Sequence, residues 1–178
     1  MIPDDRALVL KAMIRDVPDF PKPGIVFKDI TPMLADARCL GLSIDLLSEP
    51  WIGKGVTHVL AIESRGFIFG AAVAARLGVG FVPIRKPGKL PSAASRVSYD
   101  LEYGSDAIEM HVDAVNRSSR VILVDDLIAT GGTAAAAVEL ARGSGAIVMG
   151  ASFVIELAFL EGRARKLRGI QSNSLIVY

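Results

Sequence analysis

Residues 121–133 read Val-Ile-Leu-Val-Asp-Asp-Leu-Ile-Ala-Thr-Gly-Gly-Thr, and the order of residue types in this stretch decides the fold class. Val121 to Val124 are four consecutive apolar residues, the pattern of a strand covered on both faces in a parallel sheet. Asp125 and Asp126 are expected to close that strand, which puts two acids at its carboxyl end, in the crevice where open α/β sheets bind ligands. From there they reach diol hydroxyls or a hydrated divalent metal. Ala129, Thr130, Gly131, Gly132 and Thr133 follow, and the paired glycines let backbone N–H groups close on an anion at the start of the next helix. Acids for ribose hydroxyls, then a nest of amides and threonine hydroxyls for a phosphate, match a sugar phosphate. The stretch is not a P-loop, since no Gly-Lys-Ser/Thr follows, nor is it the Gly-x-Gly-x-x-Gly dinucleotide turn.

Working outward, Val59 to Ile62, Gly80 to Ile84 and Ile147 to Ile155 repeat the short apolar run. They alternate with a small-residue helix ending near Leu77 and an Ala-rich helix from about Gly132 to Arg142. The fold class is α/β: a twisted, mostly parallel sheet flanked by helices. A helix is expected from Asp4 to about Arg15 and another from about Asp36 to Leu47. Phe20-Pro-Lys-Pro-Gly24 between them is stiff and non-helical, with an extended piece from Ile25 to Ile30. A short helix near Leu160 to Leu167 and a strand near Leu175 complete the chain, which reads as one domain over 1–178.

Arg85 to Asp106 breaks the rhythm. It carries Lys86, Lys89 and Arg96 among Pro, Gly, Ser and Ala, too long for an ordinary connection, and is expected to form a mobile basic lid over the crevice. Its far end, from Tyr99 through the alternation at Ile108 and Met110, suits a hairpin.

The 178 residues hold 20 Lys and Arg against 19 Asp and Glu, a net charge of +1 without a basic run, so no footprint for nucleic acid or an anionic membrane is present. No stretch approaches the ~20 apolar residues of a membrane span. Cys39 is alone, which removes disulfide frameworks and Cys-rich metal sites and suits a buried thiol in a reducing, cytoplasmic setting. A small-molecule partner is expected.

Arg65 follows the strand ending at Ile62. On the surface it would pair with Glu63; in the crevice its planar guanidinium would grip a diphosphate bidentately. Magnesium is the natural companion, since it binds through substrate phosphates and water with few carboxylates and needs no protein cage. His58 and His111 fall in expected strands, apart from each other, and take no catalytic role.

Residues 121–133 resemble the phosphoribosyl-diphosphate signature of the type I phosphoribosyltransferases. Phe20-Pro-Lys-Pro-Gly-Ile-Val-Phe-Lys-Asp-Ile-Thr-Pro, Glu63-Ser-Arg-Gly-Phe, Arg85-Lys-Pro-Gly-Lys-Leu-Pro, Tyr99-Asp-Leu-Glu-Tyr-Gly and Gly162-Arg extend the resemblance to the adenine-specific family. The resemblance implies transfer of a phosphoribosyl group from phosphoribosyl diphosphate to adenine with Mg2+, giving AMP and diphosphate in purine salvage. It also implies a homodimer, a small hood built mainly from about 1–35 and a flexible lid of about 85–106.

Carried over by position, the resemblance implies adenine contacts at Val26, Phe27, Lys28 and Leu157. Phe27 and Leu157 would sandwich the ring, a Val26 carbonyl would accept from the 6-amino group and a Lys28 N–H would donate to N1. It further implies phosphate contacts at Arg65, Lys86 and Lys89, Glu102 as acid/base, and Tyr103 in lid closure. Two other readings stay open. A 6-oxopurine enzyme would need a donor such as lysine near the base, which Phe153-Val-Ile-Glu-Leu157 lacks; a nucleic-acid-binding sensor would need a basic face.

Overall fold

The computed structural model describes residues 5–100 and 105–178. In chain order the elements are α1 (Asp5–Ala12), β1 (Arg15–Pro18), β2 (Val26–Asp29), α2 (Thr31–Ala35), α3 (Ala37–Ser48), β3 (His58–Ile62), α4 (Gly66–Leu77) and β4 (Gly80–Ile84). There follow β5 (Ala94–Asp100), β6 (Ser105–His111), β7 (Arg120–Ile128), α5 (Gly132–Gly143), β8 (Ile147–Glu156), α6 (Gly162–Lys166) and β9 (Ser172–Val177). Five strands build a parallel sheet in the order β4-β3-β7-β8-β9.

The apolar run at 121–124 explains the layering. Val121 and Leu123 pack with α5 and β6, while Ile122 and Val124 pack with α1, α3 and α4. Alternate residues of a strand point to opposite faces, so an unbroken apolar run is what a strand buried between two helix layers requires. Asp36 caps α3 by accepting from the Cys39 N–H at 2.8 Å, and Gly78 ends α4 in the left-handed region. Cys39 is buried in the helical layer.

The expected helix from Asp4 to Arg15 is shorter than its periodicity suggests. It ends at Ala12 because Arg15–Pro18 is captured as a strand, antiparallel to Val26–Asp29. The hairpin expected at the far end of the lid segment forms, but it starts before Tyr99. Residues 94–100 form β5, paired with β6 from Ala94↔His111 to Asp100↔Ser105, and Val97 and Tyr99 pack on the α5 side of the core. Two apolar residues at strand spacing suffice because Ile108 and Met110 opposite are fully buried. The segment from 94 is therefore an anchored hairpin arm. Leu101 to Gly104, including Glu102 and Tyr103, lie outside the described residues.

Candidate active site

The strand carrying the acids does not stop at them. β7 runs on through Asp125 and Asp126 to Ile128, because the ten-residue β8 still offers partners there: Asp125↔Phe153, Leu127↔Ile155 and Ile128↔Glu156. On its other edge β3 pairs only as far as Ala61↔Val124. The unequal lengths of β3 and β8 open a crevice of about 420 Å³ beside the acids. Glu63, Ser64, Arg65, Lys86, Tyr99, Asp125, Asp126 and Ala129 to Thr133 line it.

Gly131 stands at φ 78° before the first residue of α5, a conformation that costs glycine least. The turn is closed by the Ala135 N–H donating to Gly131 O at 2.9 Å. The amides of the first helical residues thus have no partner within the helix and border the crevice, a geometry that suits an anion.

Arg65 pairs with Asp126 at 2.9 Å, not with Glu63. Its guanidinium also stands 5.1 Å from the centre of the Phe27 ring, so one side chain bridges the acids and the segment after Pro21. The Asp126 N–H donates to Asp125 Oδ1 at 2.9 Å. Burial, then the neighbouring Asp126 charge, pushes the Asp125 carboxyl well up; burial also raises Asp126, against the pull of Arg65. Gly66 permits close approach, but by the Asp125 carboxylate: a Cβ there would collide with Oδ1.

Glu63, which the reading of the sequence considered only as a partner for Arg65, organises the base of the lid. Its carboxylate takes Arg85 Nη2 at 3.1 Å, Lys89 Nζ at 2.9 Å and the Lys86 backbone N–H. Burial raises its carboxyl, yet these donors outweigh burial and hold it at about 2 against an ordinary 4.5. A depressed carboxylate stabilises the fold above its unfolded value, and that contribution is lost as pH falls through the folded one. Replacing Glu63 with Gln should therefore flatten the acid limb of a stability–pH curve between about 4.5 and about 2. Equal limbs in urea melts of variant and parent would count against this pairing.

The expected phosphate-binding lysines divide. Lys86 lines the crevice with its ammonium on Asp106, whereas Lys89 lies outside the lining, on Glu63. Glu63, Ser64 and Tyr99 fall within the stretches that carry the family resemblance, but the sequence assigned none of them a place in the crevice. Neither His58 nor His111 reaches the crevice.

Val26, Phe27, Lys28 and Leu157 do not line this crevice; Arg65 over Phe27 connects the two regions. Phe27 packs edge-on against Phe20, with ring centres 5.1 Å apart. The β1–β2 ladder settles which way the backbone points. Pro18 faces Val26 and has no N–H, so that pair is a non-hydrogen-bonded one. Alternation then places the exchanged bonds at Val17–Phe27 and Arg15–Asp29, and directs the N–H and C=O of Val26 and Lys28 away from β1 along one free edge. Leu157 continues β8, its N–H donating to Ile128 O at 3.0 Å.

Residues 30–168 match the family model of the phosphoribosyl transferase domain. An adenine phosphoribosyltransferase of Sorangium cellulosum (strain So ce56) is 58% identical over 164 residues, 92% of this chain and 82% of that protein. The crystal structure of adenine phosphoribosyltransferase from Thermoanaerobacter pseudethanolicus matches with a TM-score of 0.93 and 51% identity, covering 97% of this chain and 99% of that one. The Saccharomyces cerevisiae enzyme, solved with adenine and D-2,5-dideoxy-2,5-imino-altritol 1,6-bisphosphate, matches at 0.90 and 40% identity over 96% and 98%. Agreement of this order in both sequence and backbone, over nearly the whole length, means that the chain belongs to the adenine phosphoribosyltransferase family.

Proposed function

We propose that this crevice transfers the 5-phosphoribosyl group of phosphoribosyl diphosphate to N9 of adenine, releasing AMP and diphosphate, with the labour divided as follows. The observation that carries the reading is the convergence of the acid pair, Arg65 and the amide-rich loop on one crevice at the end of β7. Ala129 to Thr133 hold the 5-phosphate with their amides and hydroxyls. Asp125 and Asp126 take the ribose hydroxyls, and Arg65 and Lys86, with Lys89 from the base of the lid, hold the diphosphate. N9 forms its bond to C1 of the ribose as the C1–oxygen bond breaks, and positive charge builds on the ring while negative charge leaves with diphosphate. Fixed cations in a closed, dry crevice stabilise that separation more than water does.

The free edge of β2 supports the base site. A Val26 carbonyl accepts from the 6-amino group and the Lys28 N–H donates to N1, while Phe27 and Leu157 cover the faces of the ring. Glu102 handles the proton that adenine gives up, and Tyr103 helps to close the lid. Among the described residues no group of three or more His, Cys, Asp or Glu could hold a metal. The donor set, two carboxylates with one already on Arg65, suits a magnesium carried by substrate phosphates and water. Magnesium, when bound, neutralises the diphosphate and eases its departure.

The same reading takes the chain as one domain, with a hood of about 1–35 and a lid of about 85–106. It works as a homodimer in the cytoplasm, a setting that the lone, buried Cys39 suits. Among the described residues, no helix is long and apolar enough to cross a membrane.

Offering adenine, hypoxanthine, guanine and xanthine separately, with phosphoribosyl diphosphate and magnesium, tests the assignment. Diphosphate release is expected with adenine and should fall by roughly 10⁴-fold with hypoxanthine, which reverses both hydrogen-bond polarities at the β2 edge. Efficient release with hypoxanthine would overturn the base site and leave the phosphate site standing; no release with any base would sink the reading.

A further inference from the structure

We infer that Tyr178 is a positioning residue for adenine, holding the two halves of the base site in register; the inference rests on the base site proposed above. The small β1–β2 sheet shares no ladder with the five-stranded sheet. The placement of Val26 to Lys28 relative to Leu157 therefore depends on side chains that cross between them. Tyr178 does so by two independent sets of contacts.

Its backbone extends the β8–β9 pairing by one residue. The Tyr178 N–H donates to Glu156 O at 2.9 Å, and its carbonyl accepts from the Ala158 N–H at 2.9 Å. These bonds bracket Leu157, whose own N–H is held by Ile128 O. Its ring faces the other half. The Lys28 ammonium stands 3.9 Å from the ring centre and the Lys11 ammonium 4.6 Å. Lys28 is also paired with Asp16 at 2.7 Å across the β1–β2 ladder, and its side chain is only 12% exposed. A nearly buried ammonium between a carboxylate and an aromatic face has little freedom. Its fixed position carries through to the backbone N–H of the same residue.

Burial and the Asp16 charge push the phenol up, so the ring that Lys28 meets is neutral. The hydroxyl therefore has no part in the mechanism inferred, and phenylalanine should replace tyrosine. The bulk of leucine without a π face should not.

The test is steady-state kinetics of the full chain, with adenine and phosphoribosyl diphosphate varied in turn. Tyr178→Leu should raise the KM for adenine about tenfold, with the KM for phosphoribosyl diphosphate and kcat within about twofold of the parent. Tyr178→Phe should behave as the parent. Lys28→Met, which keeps the backbone donor and the stem, should match Tyr178→Leu, and the double variant should be no worse than either, because both remove one contact. Phe27→Ala separates the two layers of the argument. If it raises the adenine KM while Tyr178→Leu does not, the positioning role is overturned and the base site stands. If neither variant changes that KM, the base site is misplaced and the inference falls with it. A Tyr178→Leu variant that loses kcat or affinity for both substrates equally would mark Tyr178 as structural only, and would also overturn the inference.

Discussion

Replacing Gly162 with alanine is expected to lower kcat/KM for phosphoribosyl diphosphate by about 100-fold, although Gly162 lies on the outer side of the loop proposed to hold the 5-phosphate. A Cβ at position 162 would collide with the carbonyl oxygen of Ala129 and would stand 2.6 Å from Gly131 N. Those atoms are backbone, so no rotamer change relieves the overlap. The reciprocal contact is equally close: a Cβ at Gly131 would meet Gly162 O at 2.7 Å, at a φ that disfavours any side chain. The loop from Ala129 to Thr133 is thus held against residue 162 by direct backbone packing. Pushing it outward by a few tenths of an ångström misaligns amides whose value depends on their direction. Kinetics with phosphoribosyl diphosphate varied, alongside a melting curve to confirm folding, check the expectation. A folded Gly162→Ala protein with the parent's kcat/KM would mean that the loop tolerates displacement and is not the phosphate site.

The second large effect is expected from Arg65→Met, a loss of roughly 10²- to 10³-fold in kcat/KM, the scale for removing one preorganised donor from developing charge. Stability should change with it. Asp126 is only 6% exposed, and Arg65 is the main influence holding its carboxyl down against burial. Without that cation the carboxyl rises further. In the window between its ordinary value of 3.8 and its raised one, the folded protein holds a proton that the unfolded chain has shed. Stability therefore falls as pH climbs through that window, and the window widens in the variant. Melting temperatures taken as pH rises above the ordinary value of 3.8 should drop more steeply for Arg65→Met than for the parent. Parallel curves would show that Asp126 does not depend on Arg65, and undiminished turnover would remove Arg65 from the diphosphate site.

Both expectations turn on contacts between residues far apart in the chain, and this divides what was legible beforehand from what was not. The parallel sheet could be read from the runs at 59–62, 80–84, 121–124 and 147–155 because burial on two faces is written as unbroken apolarity in each strand separately. The crevice could be anticipated for a similar reason. Asp125, Asp126 and Ala129 to Thr133 are neighbours in sequence, and their chemistry needs only a strand, a turn and a helix start.

Other features depend on partners brought from elsewhere. Arg15–Pro18 becomes a strand because Val26–Asp29 lies beside it, and the helix whose pattern runs to about Arg15 ends at Ala12 as a result. Residues 94–100 pack because Ile108 and Met110 face them, although their composition is that of a loop. β7 runs past its acids because β8 outlasts β3. Arg65 chooses Asp126, leaving Glu63 to gather Arg85, Lys86 and Lys89, a choice between two nearby carboxylates that only position in space can make. Sequence by itself therefore determined the layers of this protein and the chemical groups at one strand end. Only the tertiary structure decided which charges pair, where strands stop, and which distant backbones meet, such as Gly162 against the loop of residues 129–131 and Tyr178 against Glu156 and Ala158. The physical reason is that apolar periodicity is a local property of each element, whereas hydrogen-bond and charge partners are settled by the lengths of neighbouring strands.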